Sequence, residues 1–68
     1  MKLLATLTND KICQTEYYLV GSPLYRITEY QNGQVTEVKN AGSQDLIDDI
    51  KFKIKWGWRF LDSINTAE

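Results

Sequence analysis

The segment IKFKIKWGWRF, residues 50–60, determines which architecture this 68-residue chain can adopt, because its pattern fits two periods. It holds both tryptophans, both phenylalanines and half of the cationic side chains. Read with a repeat of two residues, its apolar side chains all fall on one face and its cations on the other, which is typical of a half-buried strand.

Read at about 100° per residue, the same segment continues a longer amphipathic helix. One helical face would then carry Leu46, Ile47, Ile50, Ile54, Trp58, Leu61 and Ile64. A separate aromatic ridge would carry Phe52, Trp56 and Phe60, which are spaced four residues apart. Lys51, Lys55 and Arg59 would form a cationic stripe on the far side.

Boundary signals favour the helix. Gly42 interrupts the preceding pattern, Ser43 can cap the first amides, and Asp45 lies where the helix dipole favours negative charge. We therefore predict one helix from Ser43 to Asn65. The alternative is a short helix followed by a long strand, because Gly57 costs about 1 kcal/mol inside a helix and the apolar residues alternate strictly.

The composition predicts one small domain spanning residues 1–68, near the size at which an unaided core is marginal. A net charge of −1 argues against attraction of the whole molecule to nucleic acid or to an anionic membrane, and we expect no membrane partner. Cys13 is the single cysteine and there is no histidine, so neither an internal disulfide nor a zinc site is expected. The short apolar run in MKLLATL predicts a strand rather than a targeting segment, and a cytoplasmic protein follows as the default.

The first forty residues predict antiparallel strands. Asn9 and Asp10 provide turn chemistry after the first run, and Asn32-Gly33 is a strong signal for a two-residue hairpin. A regular ladder across that hairpin would pair Tyr30 with Val35, Thr28 with Glu37 and Ile27 with Val38. The predicted fold class is α+β: a three- to four-stranded antiparallel sheet with one C-terminal helix packed on one face, in the order β-β-β-β-α.

We find no catalytic constellation, no cofactor motif and no metal site in the sequence. Asp48 and Asp49 are adjacent, but successive helical positions diverge by about 100°, so the two carboxylates do not share a ligand. Asp49 and Lys53 are predicted to form an ordinary surface pair. Cys13 has no histidine to activate it and is predicted to be a small buried residue. The expected protein is not an enzyme and needs no cofactor.

The leading functional prediction is binding to another protein, or to a second copy of this chain, as a regulator or inhibitor. Phe52, Trp56 and Phe60 cannot all pack beneath one small sheet together with the main apolar face, so they need another cover. Lys53, Lys55 and Arg59 would form the rim of that surface.

The alternative prediction is a nucleic-acid-binding module, and it depends on the strand reading. All the aromatic side chains would then enter the core, and the cations would emerge in one row that could follow a phosphate backbone. The residues of this site would be Lys51, Lys53, Lys55 and Arg59, with Tyr30 stacking on bases.

Overall fold

The fold is an antiparallel sheet with one helix against it. The structure, a computed structural model, describes residues 1–10 and 12–61. Its elements, in chain order, are β1 (Lys2–Thr8), β2 (Cys13–Gly21), β3 (Leu24–Gln31), β4 (Gln34–Ala41), α1 (Ser43–Lys55) and β5 (Arg59–Phe60). The sheet order is β4-β3-β2-β1-β5, and every neighbouring pair is antiparallel. The predicted α+β class, with an antiparallel sheet and one helix, is confirmed.

The turn between β1 and β2 is built around Asp10. Its Oδ1 accepts hydrogen bonds from the backbone N–H groups of Ile12, at 2.7 Å, and Cys13, at 2.9 Å. In a tight turn some backbone N–H groups have no backbone acceptor. An aspartate side chain can accept hydrogen bonds from such N–H groups two or three residues later in the chain. The polar signal at Asn9 and Asp10 therefore marks the turn correctly.

The hairpin between β3 and β4 has the predicted two-residue turn, but its register changes further along. Asn32 and Gly33 both have positive φ, at 55° and 77°, as a type I′ turn requires. Tyr30 pairs with Val35 as predicted, and an irregularity between Glu29 and Tyr30 then shifts the ladder by one residue.

The predicted pairs of Thr28 with Glu37 and of Ile27 with Val38 are wrong because of that shift. Thr28 pairs with Val38, and Ile27 pairs with Lys39. Residues directly opposite each other share a face of the sheet, so Lys39 takes the helix side and Val38 turns to the open side.

The core lies between α1 and one face of the sheet. Its buried apolar residues are Leu7, Tyr17, Ile27, Ala41 and Leu46. Half-buried side chains extend it, namely Ala5, Tyr25, Ile50 and Trp58. β1 and β3 contribute alternate residues to this layer, Ala5 with Leu7 and Tyr25 with Ile27, as is typical of a sheet with one covered face.

The helix is shorter than predicted and is not the last element. It ends at Lys55, and β5 follows it and pairs with the outer edge of β1, where Phe60 lies opposite Leu7 and Arg59 opposite Thr8. The sheet thus has five strands in the described residues rather than three or four. Residues 50–55 follow the helical period and residues 59–60 are extended, so each reading of this segment was right for one part. The predicted helical positions Ile64 and Asn65 lie outside the described residues.

Gly57 is the residue that stops the helix. Its φ is +94°, its N–H donates to the Ile54 carbonyl at 3.1 Å, and the Trp58 N–H donates to the Lys53 carbonyl at 2.9 Å. This pair of bonds is a Schellman motif, in which a glycine with positive φ satisfies the last carbonyls of a helix. The predicted role of Gly57 as a cost within a longer helix is therefore wrong, because Gly57 lies two residues beyond the last helical residue, Lys55.

The start of the helix also differs from the prediction. Ser43 is the first helical residue, and Gly42 occupies the capping position with an extended backbone and no side-chain cap. Ser43 therefore does not cap the helix, because a capping side chain has to lie one residue earlier.

Replacing Gly57 by alanine should lower the free energy of unfolding by about 1–2 kcal/mol, since a Cβ strains a residue held at positive φ. Gly21→Ala is the matched control, because Gly21 is not in that region and an added Cβ there meets nothing within 4 Å. Its effect should stay within about 0.5 kcal/mol. Urea unfolding measures both values, and equal effects would show that Gly57 does not hold the positive-φ conformation that terminates the helix.

Candidate functional site

The helix presents two sides, and Lys53 lies on the side that faces the sheet. Leu46, Ile50 and Lys53 are spaced by four and three residues, which places them on one helical face. Leu46 and Lys53 are the buried residues of α1, and Lys53 is only 7% exposed. The prediction that Lys53 lies at the rim of an exposed surface is therefore wrong.

Two carboxylates hold the Lys53 ammonium group inside the fold. Its Nζ lies 2.7 Å from Asp49 Oδ2, one helical turn earlier, and 3.2 Å from Glu29 Oε2 on β3. The ammonium also lies 5.4 Å from the centre of the Trp58 ring, a distance at which a cation is attracted by an aromatic face. Lys53 thus links the helix to the sheet, and its pair with Asp49 is not the ordinary surface pair that the sequence predicted.

Two hydroxyl groups complete the arrangement. Tyr17 is fully buried, and its Oη donates to Asp49 Oδ2 at 2.6 Å. Thr15 Oγ1 donates to Glu29 Oε1 at 2.8 Å. We call these residues, Thr15, Tyr17, Glu29, Asp49 and Lys53, the Lys53 cluster.

The electrostatics of the cluster determine the protonation states of Tyr17 and Asp49. Burial raises the pKa of the Tyr17 phenol far above its usual value, and the hydrogen bond to Asp49 and the charges of Asp49 and Glu29 raise it further. Burial alone would also raise the pKa of the Asp49 carboxyl. Hydrogen bonds from Lys53 and Tyr17, with the positive charges of Lys53 and Lys39, outweigh burial and hold the Asp49 pKa below its usual range. Tyr17 therefore stays protonated and Asp49 stays charged at neutral pH.

We interpret the Lys53 cluster as a structural link that holds α1 against the sheet. Its donors are directed at its own carboxylates, so it fixes the rotation of α1 against β2 and β3. A buried charge is tolerated when it is paired and hydrogen-bonded, and each charged member here has such a partner.

The pH dependence of the free energy of unfolding should reveal the contribution of the Lys53 cluster to stability. Because the Asp49 pKa is depressed in the folded state, its contribution is present above the unfolded pKa of about 3.9 and is lost as the pH falls through the folded value. Stability of the wild type should therefore decrease more steeply than that of Asp49→Asn below about pH 4, by up to roughly 1.4 kcal/mol per pH unit. Asp48→Asn, at the exposed neighbouring position, should keep the wild-type profile. Urea unfolding over a pH series tests this, and parallel profiles for wild type and Asp49→Asn would contradict it.

The C-terminal end of α1 exposes two aromatic rings, Phe52 in the helix and Trp56 at its C-cap. Phe52 is 61% exposed and Trp56 is 67% exposed, and their ring centroids lie 6.0 Å apart with the planes tilted by 54°. This separation lies in the range of favourable edge-to-face contacts between rings. We call Phe52 and Trp56 the aromatic pair.

The structure brings together only part of the predicted partner-binding site. Phe52 and Trp56 are adjacent, and Lys55 is exposed on the same helix. Phe60 and Arg59 are also exposed, but they belong to β5 and follow the sheet edge instead of continuing a helical ridge.

The predicted nucleic-acid-binding set is not assembled on one surface. Lys51 and Lys55 are exposed on the helix, and Arg59 lies on β5. Lys53, which lies between Lys51 and Lys55 in the sequence, is buried. Tyr30 pairs opposite Gln14 and Val35 on the face of the sheet away from the core, where the neighbouring Glu16 carboxylate raises its pKa. On the same face Tyr18 Oη donates to Glu16 at 2.7 Å, which raises the pKa of Tyr18 to about 12. Tyr30 is thus half-buried beside a carboxylate that already accepts a hydrogen bond from Tyr18.

A small cleft of about 210 Å³ opens between β4 and α1. Lys39 and Asn40 line one wall and Asp45 and Asp49 the other, above Ile27 and Ala41. Pockets that enclose a small organic ligand usually measure about 300–1,000 Å³. The cleft is therefore an unfavourable site for such a ligand.

The sequence analysis did not predict that Thr15, Tyr17 and Glu29 belong to the Lys53 cluster. A signal existed: Glu29 lies two residues beyond Ile27 on a strand, so strict alternation already places it on the core side. A carboxylate on a core face needs a cation, and Lys53 lies seven residues after Leu46 on the core-facing side of α1.

Comparisons of the chain with protein-family models, with curated proteins and with solved structures give no match. Among residues 1–10 and 12–61, no helix is long and apolar enough to cross a membrane, and no group of three histidine, cysteine, aspartate or glutamate side chains is placed to hold a metal ion. The function has to be inferred from the aromatic pair and the surfaces around it.

Proposed function

We propose that this chain is a non-enzymatic protein-binding module whose contact surface is the aromatic pair. The observation that carries the proposal is the exposure of Phe52 in α1 and of Trp56 at its C-cap, each above 60%, at the end of a helix that Lys53 fixes to the sheet. Large rigid rings supply much contact area at a low entropic cost, and tryptophan is enriched among the residues that dominate binding energy.

The charges around the aromatic pair indicate the kind of partner. Lys55 is exposed on α1 within one turn of both Phe52 and Trp56, and no carboxylate of the helix lies closer to Trp56 in sequence than Asp49, which is paired. An apolar groove edged by acidic side chains would complement this surface. By occupying such a groove on another protein, this chain would act as a regulator or an inhibitor. We propose the cytoplasm as its compartment, because the single cysteine, Cys13, is a free thiol.

A matched pair of variants tests the proposal. Phe52→Ser combined with Trp56→Ser should abolish retention of partner proteins from an extract of the source cells, while Lys51→Gln should retain them. Because both rings are exposed, the double variant should unfold within about 1 kcal/mol of the wild type. Retention of the same proteins by the double variant would contradict the proposal.

Nuclease treatment and a salt series separate this function from the alternative one. Binding through phosphates weakens steeply with salt, because each neutralised phosphate releases counterions. Retention that survives nuclease and moderate salt supports a protein partner, whereas retention lost under both treatments would favour nucleic-acid binding.

A further inference from the structure

Among the described residues, the outer edge of β4 is a long strand edge that no other strand pairs with. The sheet order places β4 at one end, and within the described part of the chain no strand pairs with its outer side. All residues from Gln34 to Asn40 are exposed, on both faces of the sheet. The opposite end of the sheet is occupied by the two-residue strand β5. Alternate residues of an edge strand direct N–H and C=O groups outward, where another strand can bind them.

We propose that this edge pairs antiparallel with β4 of a second copy, with Val38 opposite Val38 on the two-fold axis. In a symmetric antiparallel pair the axis is perpendicular to the sheet, so each residue faces one from the same side of the second copy. The two sheets would then join into one continuous sheet, with both helices on the same side.

The charges of β4 select this register. With Val38 at the centre, Glu37 lies opposite Lys39 of the second copy, and Lys39 lies opposite its Glu37, so two opposite-charge pairs form. Centring the pair on Glu37 would place two carboxylates opposite each other, and centring it on Lys39 would place two ammonium groups opposite each other. Charged side chains usually block edge pairing, but in this one register they are complementary.

The apolar residue at the centre adds to the same register. Val38 is 53% exposed on the open side of the sheet, a position that it occupies because of the irregularity beside Tyr30. Pairing on the axis would cover each Val38 side chain with the other, and cross-strand pairs of β-branched residues stabilise a sheet. Thr36 and Asn40 would flank the charged pairs with uncharged polar contacts.

Charge reversals test this interface. Glu37→Lys alone and Lys39→Glu alone each place like charges opposite each other twice, so each should raise the dissociation constant of the dimer roughly tenfold or more. The double variant Glu37→Lys/Lys39→Glu restores opposite charges and should dimerise like the wild type. An equimolar mixture of the two single variants should form heterodimers, because one chain then carries two cations and the other two carboxylates. Lys51→Glu, on the exposed side of α1, is the control and should leave the dimer unchanged.

Sedimentation equilibrium over a concentration series reaching about 1 mM measures these constants, since an interface of one short strand is expected to be weak. Far-ultraviolet circular dichroism checks each fold, because Lys39 also acts on Asp49. Dimer formation in the mixture of the two single variants supports the proposal, because a misfolded variant would not pair with the other one. A wild type that stays monomeric throughout, single variants that dimerise normally or fail to associate with each other, or a dimer lost through Phe52→Ser instead would overturn it.

Discussion

Replacing Lys53 by methionine is expected to lower the free energy of unfolding by about 3 kcal/mol, the largest effect of any charged residue on α1. Methionine keeps the length and apolar stem of the side chain but removes the ammonium group. Asp49 Oδ2 and Glu29 Oε2 would then share a poorly solvated space without the cation that lies 2.7 Å and 3.2 Å from them. This value is at the lower end of the range of free-energy losses for breaking a buried ion pair, because the side chains of Asp49 and Glu29 are still about one-fifth exposed.

Lys51→Met is the control for this experiment. Lys51 lies on the same helix but is exposed, so its loss should change stability by less than about 0.5 kcal/mol. Combining Lys53→Met with Glu29→Gln should cost less than the sum of the single variants, since the neutral amide no longer needs a counter-charge. If Lys53→Met and Lys51→Met behave alike in urea unfolding, Lys53 is in solvent and the Lys53 cluster does not exist.

Leu46→Ala is expected to lower the free energy of unfolding by about 2–4 kcal/mol. Leu46 is the buried apolar residue of α1, 8% exposed, and it packs with Ile27, Tyr17 and Ala41 in the core. Truncation removes the transfer energy of the side chain and leaves a cavity between helix and sheet. In a chain of this size, that loss is a large fraction of the total stability.

The neighbouring residue supplies the matched control. Ile47 is 43% exposed, so Ile47→Ala should cost well under half as much as Leu46→Ala. The comparison fixes the rotation of the helix about its axis, because one residue of rotation exchanges the two positions. Equal losses, or a larger loss for Ile47→Ala, would show that the helix packs with a different face.

Much of the fold followed from local signals in the sequence. Asn32-Gly33 and Asp10 encode their turns in chemistry that acts within a few residues, so the strands around them were predictable. The β3–β4 register was not, because the irregularity at Glu29 and Tyr30 depends on packing across the sheet.

The length of the helix was misjudged at Gly57. A glycine in a helical pattern can be a tolerated interruption or a stop. At Gly57 the φ of +94° accompanies two local hydrogen bonds to the last carbonyls of the helix, and the apolar pattern alone does not reveal them. The strict alternation around it had a real basis, since Arg59 and Phe60 do form a strand.

The candidate site was predicted in its aromatic part and not in its charges. Phe52 and Trp56 are four residues apart, so any helix brings them together, and they had no room beneath the sheet. Lys53 was assigned to the surface because a lysine is rarely buried without partners. Its partner Glu29 comes from a strand distant in sequence. Alternation places the Glu29 carboxylate on the core side, but which cation meets it depends on how α1 packs against the sheet.

Acrylamide quenching of tryptophan fluorescence tests most directly whether Lys53 lies inside the fold and Trp56, at the end of α1, lies in solvent. The chain has two tryptophans, so Trp58→Phe leaves Trp56 as the reporter and Trp56→Phe leaves Trp58. Trp56 is 67% exposed, while Trp58 is half-buried against the core beside Lys53. Quenching should be several-fold more efficient for Trp56 than for Trp58. Equal quenching of the two, or stronger quenching of Trp58, would contradict the proposed surface.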